Sequence, residues 1–356
     1  MRITRIIILL TAILLTFTAC VSPTTPPQTQ PPAPTPTPTQ NLSVHFIDVG
    51  QGDSILIDLG ETEILIDGGD RSPGVVNYLS SYIDGALEVM VATHSHTDHI
   101  GGLIGVLNAF EVDEVWLNGD TSTSGTYSQF ISAVNSEGAE VHVAIRGDTI
   151  QAGNLTFDVL NPVNLSGTTN DNSIVLSLSY GQVDFLFDGD AEQEAEASML
   201  AAGIVPDVEI LKVGHHGSRT ASSVQFLQVS KPECAIYMAG QGNSYGHPHQ
   251  ETITNLCEIG AEIYGTDIHG NIVVTTDGVT YNVLPSNNVP PVVCPPSSTP
   301  SSDNGSYSIQ NYDNGGDELA GVTAICNDGT YSYSKHCQGT CSHHGGVREW
   351  INRPPD

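Results

Sequence analysis

Residues 41–285 alternate between short apolar runs and segments with helical spacing, which predicts one domain of mixed strands and helices. The predicted strands are Leu42–Val49, Ser54–Leu59, Glu63–Asp67, Glu88–Ala92, Glu114–Leu117, Leu155–Leu160, Ser173–Tyr180, Val183–Phe187, Val208–Val213, Cys234–Tyr237 and Asn271–Thr275. The predicted helices are Gly74–Tyr82, Ile100–Phe110, Tyr127–Ser136, Ala191–Ala201, Ser222–Val229 and Gln250–Ile259. Early strands follow one another through glycine turns and later strands alternate with helices. We therefore predict an α/β fold, with packed sheets and helices outside.

The start of the chain is typical of an export signal. Arg2 and Arg5 precede the apolar run Ile6–Ala19, which is too short to span a bilayer. Small residues then precede Cys20, as in a bacterial lipoprotein signal, where the cysteine becomes the lipidated first residue. We expect residues 1–20 to act as this signal, so that the protein is exported and anchored to the cell membrane through Cys20. Plain secretion is the alternative.

Two segments of low complexity flank the predicted domain. Residues 21–40 contain eight prolines and six threonines, a composition that favours an extended polyproline linker. Residues 286–318 are rich in proline, serine, asparagine and glycine and form a second predicted linker. A short segment containing cysteine and histidine, residues 319–356, follows as a separate small domain.

The charge of the chain argues against a broad surface for nucleic acid. The sequence carries 40 acidic residues against 10 lysines and arginines, a formal net charge of -30. Within residues 41–285, the bases are Arg71, Arg146, Lys212, Arg219 and Lys231. Binding to a phosphate backbone depends mainly on lysine and arginine. A basic groove along this domain is therefore not expected.

The strongest chemical motif follows the predicted strand Glu88–Ala92. It brings His94, His96, Asp98 and His99 within six residues. Imidazole nitrogen and carboxylate oxygen are the ligands that borderline metals such as zinc take in proteins. A short loop can direct His94 and His96 at one ion, while Asp98 and His99, at the start of a helix, face a second. We therefore predict a metal centre here.

This HxHxDH spacing resembles the metallo-β-lactamase superfamily. The motifs VHFIDVGQGDS at 44–54, LFDGDAE at 186–192 and LKVGHHGS at 211–218 narrow the resemblance to the hydrolase domain of ComEC competence proteins. The resemblance covers residues 41–285 and implies the αβ/βα sandwich of that superfamily. It also implies a metal-dependent hydrolase with two divalent ions, zinc or manganese.

The resemblance assigns roles to four further residues. Asp67 would support the histidine loop by hydrogen bonds, without binding metal. Asp190 would bridge both ions. One of His215 and His216 would complete the ligands, and we favour His215 because it directly follows the predicted strand.

One departure from the family pattern leaves the metal occupancy open. Many relatives carry another histidine before the bridging aspartate, but residues 169–174 contain none. Asn172 takes its place, and an amide oxygen is a poorer ligand for borderline ions. The first site would then be weaker, take a water, or prefer a harder ion such as manganese.

Two residues outside the ligand motifs are candidates for substrate contact. His247, in a Gly-His-Pro segment that also occurs in ComEC-like proteins, would reach the pocket and hold a substrate oxygen or protonate a leaving group. An ordinary loop histidine is the equal alternative. Ser218, beside the paired histidines, is a weaker candidate for orienting substrate.

These ligands predict hydrolysis of a phosphoester. Two cations about 3.5–4 Å apart lower the pKa of a bound water, which yields a hydroxide nucleophile near neutral pH. Asp98, Asp190 and His247 would carry the catalytic work. The ComEC resemblance implies DNA as substrate, but 33 acids against five bases in the domain argue against a processive nuclease. The alternatives are an envelope phosphodiesterase for teichoic-acid or choline phosphates, and a wall-binding protein with a structural metal.

The C-terminal segment resembles a small domain of unknown function found on exported bacterial proteins. The resemblance implies a disulfide between Cys326 and Cys341. Cys337 is additional to that pattern, and we predict that it pairs with Cys294. The alternative is a zinc site with the ligands Cys326, Cys341, His336 and His343. A domain this small needs such a crosslink. We expect it to bind a component of the cell envelope.

Overall fold

The computed structural model describes residues 38, 40–71, 73–165, 167–294, 324–326, 331–332 and 347–350. Cys20, Cys337 and Cys341 lie outside the described residues, as do His336, His343 and most of both linkers, so the predictions made for them stay predictions. In the part of the chain that is described, no helix has the length and apolarity needed to cross a membrane.

The first sheet has eight strands and combines antiparallel with parallel pairing. From edge to edge, its strands are β15 (Tyr281–Pro285), β14 (Ile272–Thr276), β1 (Leu42–Phe46), β2 (Ile55–Asp58), β3 (Glu63–Ile66), β4 (Leu87–Ala92), β5 (Val112–Leu117) and β6 (Glu140–Val143). Pairing is antiparallel from β15 to β3 and parallel from β3 to β6.

The second sheet has seven strands with the same mixture. From edge to edge, they are β13 (Glu262–Gly265), β12 (Cys234–Tyr237), β11 (Ile210–Lys212), β10 (Val183–Phe187), β9 (Val175–Tyr180), β8 (Leu155–Asn161) and β7 (Thr149–Ala152). Strands β10 to β13 are parallel, and β7 to β10 are antiparallel. A third, small sheet near the C-terminus contains β16 (Ala324–Cys326), β17 (Tyr331–Ser332) and β18 (Val347–Trp350).

Most helices connect the strands of these sheets. They are α1 (Pro73–Leu79), α2 (Thr97–Ile100), α3 (Leu103–Ala109), α4 (Gly125–Glu137), α5 (Gln193–Ala202), α6 (Val224–Ser230), α7 (Gln250–Ile259) and α8 (Thr266–His269), with a short 3₁₀ turn, η1, at Gly214–Gly217. Local sequence sets several boundaries. The hydroxyl of Ser124 accepts a hydrogen bond from the Tyr127 amide at the start of α4, and Gly138 ends that helix in the left-handed conformation.

The central strands are apolar on both faces because each face packs against a different layer. In β4, Val89 and Val91 lie in the core between the two sheets, whereas Met90 packs under helices α1, α3 and α4. In β10, Phe185 and Leu186 divide in the same way between the intersheet core and the layer of α5, α6 and α7. Burial of each such side chain contributes roughly 1.5–3 kcal/mol. The predicted αβ/βα sandwich is confirmed.

A disulfide joins Cys257 in α7 to Cys294, so the predicted pairing of Cys294 with Cys337 is wrong. The chain after β15 runs back along β13, where the Val292 amide donates to the Ile263 carbonyl at 2.8 Å. This path brings the two Cα atoms to 5.5 Å, within the range for a disulfide. The segment that follows Pro285 is thus covalently attached to the domain.

Removal of this crosslink should destabilise the domain without altering its chemistry. The bond closes a sequence separation of 37 residues, and the Cys257→Ala/Cys294→Ala variant should lose about 3 kcal/mol of unfolding free energy. Urea unfolding measures the loss. Dithiothreitol should lower the unfolding free energy of the wild type to that of the variant and leave that of the variant unchanged. Equal stability of the wild type with and without reductant would contradict this expectation.

Candidate metal centre

The motif side chains lie together because each motif follows a parallel strand at one edge of the sandwich. Asp67 follows β3 and the HxHxDH loop follows β4 in the first sheet. Asp190 follows β10, and the paired histidines form η1 after β11 in the second sheet. Because parallel strands end at a common edge, these loops meet across the two sheets.

Asp190 and the first two histidines of the loop form one group of candidate ligands. The Nε2 atom of His94 lies 3.7 Å from Oδ2 of Asp190 and 3.0 Å from Nδ1 of His96. His94 and Asp190 are buried, while His96 is exposed at the rim. One ligand atom from each residue lies within 4.8 Å of the others, a compact donor set for a cation.

A second group forms on the other side of the same carboxylate. Oδ2 of Asp190 lies 3.2 Å from Nε2 of His99 and 3.3 Å from Nε2 of His216. These two imidazole nitrogens are themselves 3.3 Å apart. Oδ2 of Asp98 lies 3.4 Å from Nε2 of His216 and adds another carboxylate oxygen. Asp190 is therefore shared by both groups.

Buried carboxylates orient the second pair of histidines. Asp67 accepts a hydrogen bond of 2.7 Å from Nδ1 of His99, together with bonds from the amide and hydroxyl of Thr93. Nδ1 of His216 lies 3.1 Å from Asp53 and 2.9 Å from the Met238 carbonyl oxygen. With Nδ1 held by these oxygens, each ring turns Nε2 toward Asp190. Such outer contacts hold the tautomer and the direction of a metal-binding histidine.

The electrostatics of the cluster favour positive charge at its centre. Burial disfavours the charged form of His99, but Asp190 and Asp67 outweigh it, so its pKa lies well above the ordinary value. Burial acts against His216 in the same way, and Asp190 with Asp53 again raises its pKa strongly. For Asp190, burial is outweighed by His216 and His99, and its pKa lies well below the usual range.

The residues present therefore fit divalent metal ions. Oδ1 of Asp190 is buried and has no hydrogen-bond partner among the described residues, although an unpartnered buried carboxylate oxygen is costly. Imidazole nitrogens of His94, His96, His99 and His216 surround the same carboxylate, a donor set suited to borderline metals. The cluster thus indicates a centre for divalent cations.

The cluster opens into a cavity of about 360 Å³. The residues that line it are Gln51, His96, Thr97, Asp98, Asn170, Asp190, His215, His216, Tyr245 and His247. No lysine or arginine is among them.

Residues 47–241 match the family model of the metallo-beta-lactamase superfamily, and the match covers more than half of the chain. The chain belongs to the metallo-β-lactamase superfamily. Residues 319–351 also match a domain of unknown function, DUF3761, as the sequence predicted for the C-terminal segment. The superfamily and the His/Asp cluster together indicate a metal-dependent hydrolase.

Curated relatives place this superfamily member near the competence proteins, as predicted. It is 29% identical over 252 residues to ComE operon protein 3 of Bacillus subtilis, covering 64% of this chain and 32% of the relative. It is 28% identical over 238 residues to Recombination protein 2 of Haemophilus influenzae, covering 64% of this chain and 28% of the relative. The chain thus spans about a third of the length of these relatives.

A solved structure, the metallo-beta-lactamase fold protein YhfI of Bacillus subtilis, is 13% identical with a TM-score of 0.48. The match covers 66% of this chain and 100% of YhfI.

The structure contradicts the prediction that His215, and not His216, completes the ligands of this metallo-β-lactamase domain. His216, not the favoured His215, lies in the buried group with His99 and Asp190. Nε2 of His215 is 3.9 Å from Asp190, and its Nδ1 lies 2.9 Å from Glu192 at the cavity wall. Both histidines have positive φ angles, so their side chains do not point to alternate faces as they would in a strand.

Asn172 lies behind the HxHxDH loop. Its side-chain amide donates to Asp120 at 3.2 Å, and its backbone carbonyl accepts a hydrogen bond from the side-chain amide of Asn118. It is not among the residues that line the cavity, whereas Asn170 is. Asn170 also lies 3.5 Å from the ring of His215. The asparagine that faces the candidate metal centre is therefore Asn170, which the motif comparison missed.

The two predicted substrate contacts differ in position. His247 lines the cavity, and burial together with the nearby imidazoles of His216 and His215 lowers its pKa to about 4. It is therefore neutral at pH 7 and can donate one ring hydrogen bond. Ser218 is buried beside the cavity, where its hydroxyl contacts Thr220 at 2.9 Å.

Asp53 and Lys212 form a buried ion pair beside the candidate metal centre that the sequence did not predict. Lys212 is fully buried, donates to the Gly189 carbonyl at 2.8 Å and forms an ion pair with Asp53. Burial would raise the pKa of Asp53, but Lys212 and His216 outweigh it and lower that pKa. Both residues stand inside motifs quoted for the resemblance. A charged residue within an apolar strand, as Lys212 is in β11, was the available signal.

Gly52 permits the close approach of the first motif to the metal loop. Its φ is +125°, and a Cβ there would lie 2.1 Å from the Asp98 carbonyl oxygen. Gly52→Ala should destabilise the domain by roughly 1–3 kcal/mol and weaken metal binding, because the Asp98 backbone must move. Chemical unfolding and zinc titration measure the two effects. Gly85→Ala, with nothing near its Cβ, is the control. Matching effects in the two variants would contradict the argument.

Proposed function

We propose that this chain is an exported phosphodiesterase that holds two divalent ions, zinc or manganese, at the cluster around Asp190. The observation that supports this most directly is that one buried carboxylate is shared by two donor sets. His94 and His96 would bind one ion. Asp98, His99 and His216 would bind the other.

The bound ions would supply an activated water and neutralise negative charge on a phosphoryl group. The protein residues do the rest. Asp67 and Asp53 hold His99 and His216 in position. His247, neutral and directed into the cavity, donates a hydrogen bond to a substrate oxygen. The cavity admits a phosphodiester beside the ligands and limits the size of what flanks it.

The surface charge supports a substrate held at one phosphate, not along a backbone. Each of the five bases in residues 41–285 is engaged elsewhere: Arg71 with Gln129, Arg146 with Ser198, Lys212 with Asp53, Arg219 with Glu251 and Lys231 with Asp207. Lysine and arginine give polynucleotide binding its strength. The competence and recombination names of the relatives favour a nucleic-acid phosphodiester. Short single strands satisfy both observations.

Location outside the cytoplasm is part of this proposal. The Cys257–Cys294 disulfide is favoured in an oxidising compartment and supports export. Anchoring through Cys20, and binding of an envelope component by residues 319–356, complete the proposed arrangement.

The test uses purified protein loaded with zinc or manganese and offered bis-p-nitrophenyl phosphate and a single-stranded 20-mer. We expect hydrolysis of both, removal of activity by a chelator, and recovery on return of the metal. Because one phosphate is held, cleavage of the 20-mer should weaken by less than about tenfold between 50 and 200 mM salt. Cleavage of the small ester alone would favour an envelope phosphodiesterase. No cleavage with metal bound would contradict the proposal.

A further inference from the structure

An exposed aromatic ring lies at the mouth of the cavity. Tyr245 is 64% exposed, although it is among the residues that line the cavity. Its ring stacks on that of His247, with centroids 5.7 Å apart and planes 21° apart. One face of the tyrosine is thus supported by His247 while most of the side chain remains accessible to solvent. Tyr245 is therefore available to contact a ligand in the cavity.

The loop that carries Tyr245 is held in place by one side chain. Oδ1 of Asn243 accepts hydrogen bonds of 3.1 Å from the amides of both Tyr245 and His247. Its Nδ2 donates to the carbonyls of Gly240 and His247. The Gly240 amide in turn donates to Gln51, another residue of the cavity wall. The ring is therefore positioned before any ligand arrives, which lowers the entropy lost on binding.

The charge of the cavity leaves stacking as the main remaining source of affinity. No lysine or arginine lines the cavity, and each base described in the domain has a polar partner. Phosphates beyond the one held at the cluster find no lysine or arginine there. An aromatic side chain binds an unpaired base through its flat face, and this contact needs no charge.

We propose that Tyr245, supported by His247, is a stacking surface for a base of the substrate. The substrate would then be a single-stranded nucleic acid or a short nucleotide, since a base within a duplex is already stacked and cannot reach the ring. This inference rests on the proposed phosphodiesterase function and adds the residue that binds a base of its substrate.

A quaternary ammonium group such as choline fits this surface less well. Such cations are typically held by several aromatic rings arranged as a cage. In the cavity lining, Tyr245 is the single tyrosine, and the other rings are imidazoles. One supported face matches a flat base.

The test compares dTpdT with two analogues, each lacking one of the thymines, and with glycerophosphocholine, using metal-loaded wild type, Tyr245→Ala and Tyr245→Phe. The wild type should cleave dTpdT with a kcat/KM about tenfold above that for one analogue, namely the one that lacks the base stacked on Tyr245. Tyr245→Ala should lose this preference through KM, because the base then has no ring on which to stack. Tyr245→Phe should retain the preference.

Several outcomes would overturn the proposal. Equal losses on dTpdT and on both analogues would assign Tyr245 a structural role. A loss confined to glycerophosphocholine would assign it to choline. If no substrate is cleaved, the proposed phosphodiesterase function is contradicted. Binding of thymidine monophosphate to the same proteins then tests the stacking role of Tyr245 by itself. Tighter binding by wild type than by Tyr245→Ala supports it, and equal binding overturns it.

Discussion

Replacement of Asp190 by alanine should lower phosphodiester hydrolysis by at least about 1000-fold. The carboxylate is shared by the two donor sets, so its removal takes a ligand from both proposed ions. Loss of such a centre removes several kcal/mol of transition-state stabilisation, and each 1.36 kcal/mol is a factor of ten in rate. The measurement is kcat/KM for bis-p-nitrophenyl phosphate at saturating zinc or manganese.

Asp207→Asn provides the matched control for Asp190. Asp207 is an exposed carboxylate that pairs with Lys231 on the surface, so its loss should change activity by less than about twofold. Metal content of the two variants separates lost ligands from lost folding. An Asp190→Ala protein that is folded and hydrolyses the ester at the wild-type rate would exclude Asp190 as a shared ligand.

Lys212→Met should lower the unfolding free energy by about 3–5 kcal/mol. The substitution leaves Asp53 buried without its cation, and an uncompensated buried charge is among the most destabilising changes known. It also removes the hydrogen bond from Nζ to the carbonyl of Gly189, directly before Asp190. Urea unfolding measures the stability, and zinc titration measures the accompanying loss of metal affinity.

Two comparisons isolate the buried charge as the cause. Lys231→Met removes an exposed lysine of a surface pair and should change stability by less than about 1 kcal/mol. Asp53→Asn/Lys212→Met removes both buried charges and should recover much of the stability. It should not recover metal affinity, because the Asp53 carboxylate also holds His216. A double variant no more stable than Lys212→Met would contradict this explanation.

The sequence predicted the central strands of both sheets and missed the four strands at their edges. Strands β6 and β15 bound the first sheet, and β7 and β13 bound the second. Central strands such as β4 and β10 are buried on both faces and form short apolar runs, which the periodicity reveals. An edge strand such as β6 exposes Val141 and Val143 between polar residues, so its pattern resembles a loop.

The ligands were predictable to the extent that they share a short motif. Four candidate ligands follow β4, and Asp190 follows β10 within a recognisable sequence. Which of the adjacent His215 and His216 faces Asp190 depends on the backbone angles of the η1 turn, and local sequence does not specify these angles. Asp53 and Lys212 approach across the two sheets, and their contact depends on tertiary packing.

The disulfide was missed for a related reason. Cys257 lies within the predicted domain at residues 41–285, whereas Cys294 lies within the predicted linker at residues 286–318, which is rich in proline and serine. The backbone hydrogen bond from Val292 to Ile263 returns this segment to the domain, and no composition pattern reports such a contact.

Native mass spectrometry of the purified protein, with metal added back after chelation, counts the ions at the cluster around Asp190. We expect two divalent ions per folded chain, and loss of at least one in Asp190→Ala. A single ion would contradict the shared centre. A folded wild type that binds no ion would contradict the assignment of the cluster as a metal centre.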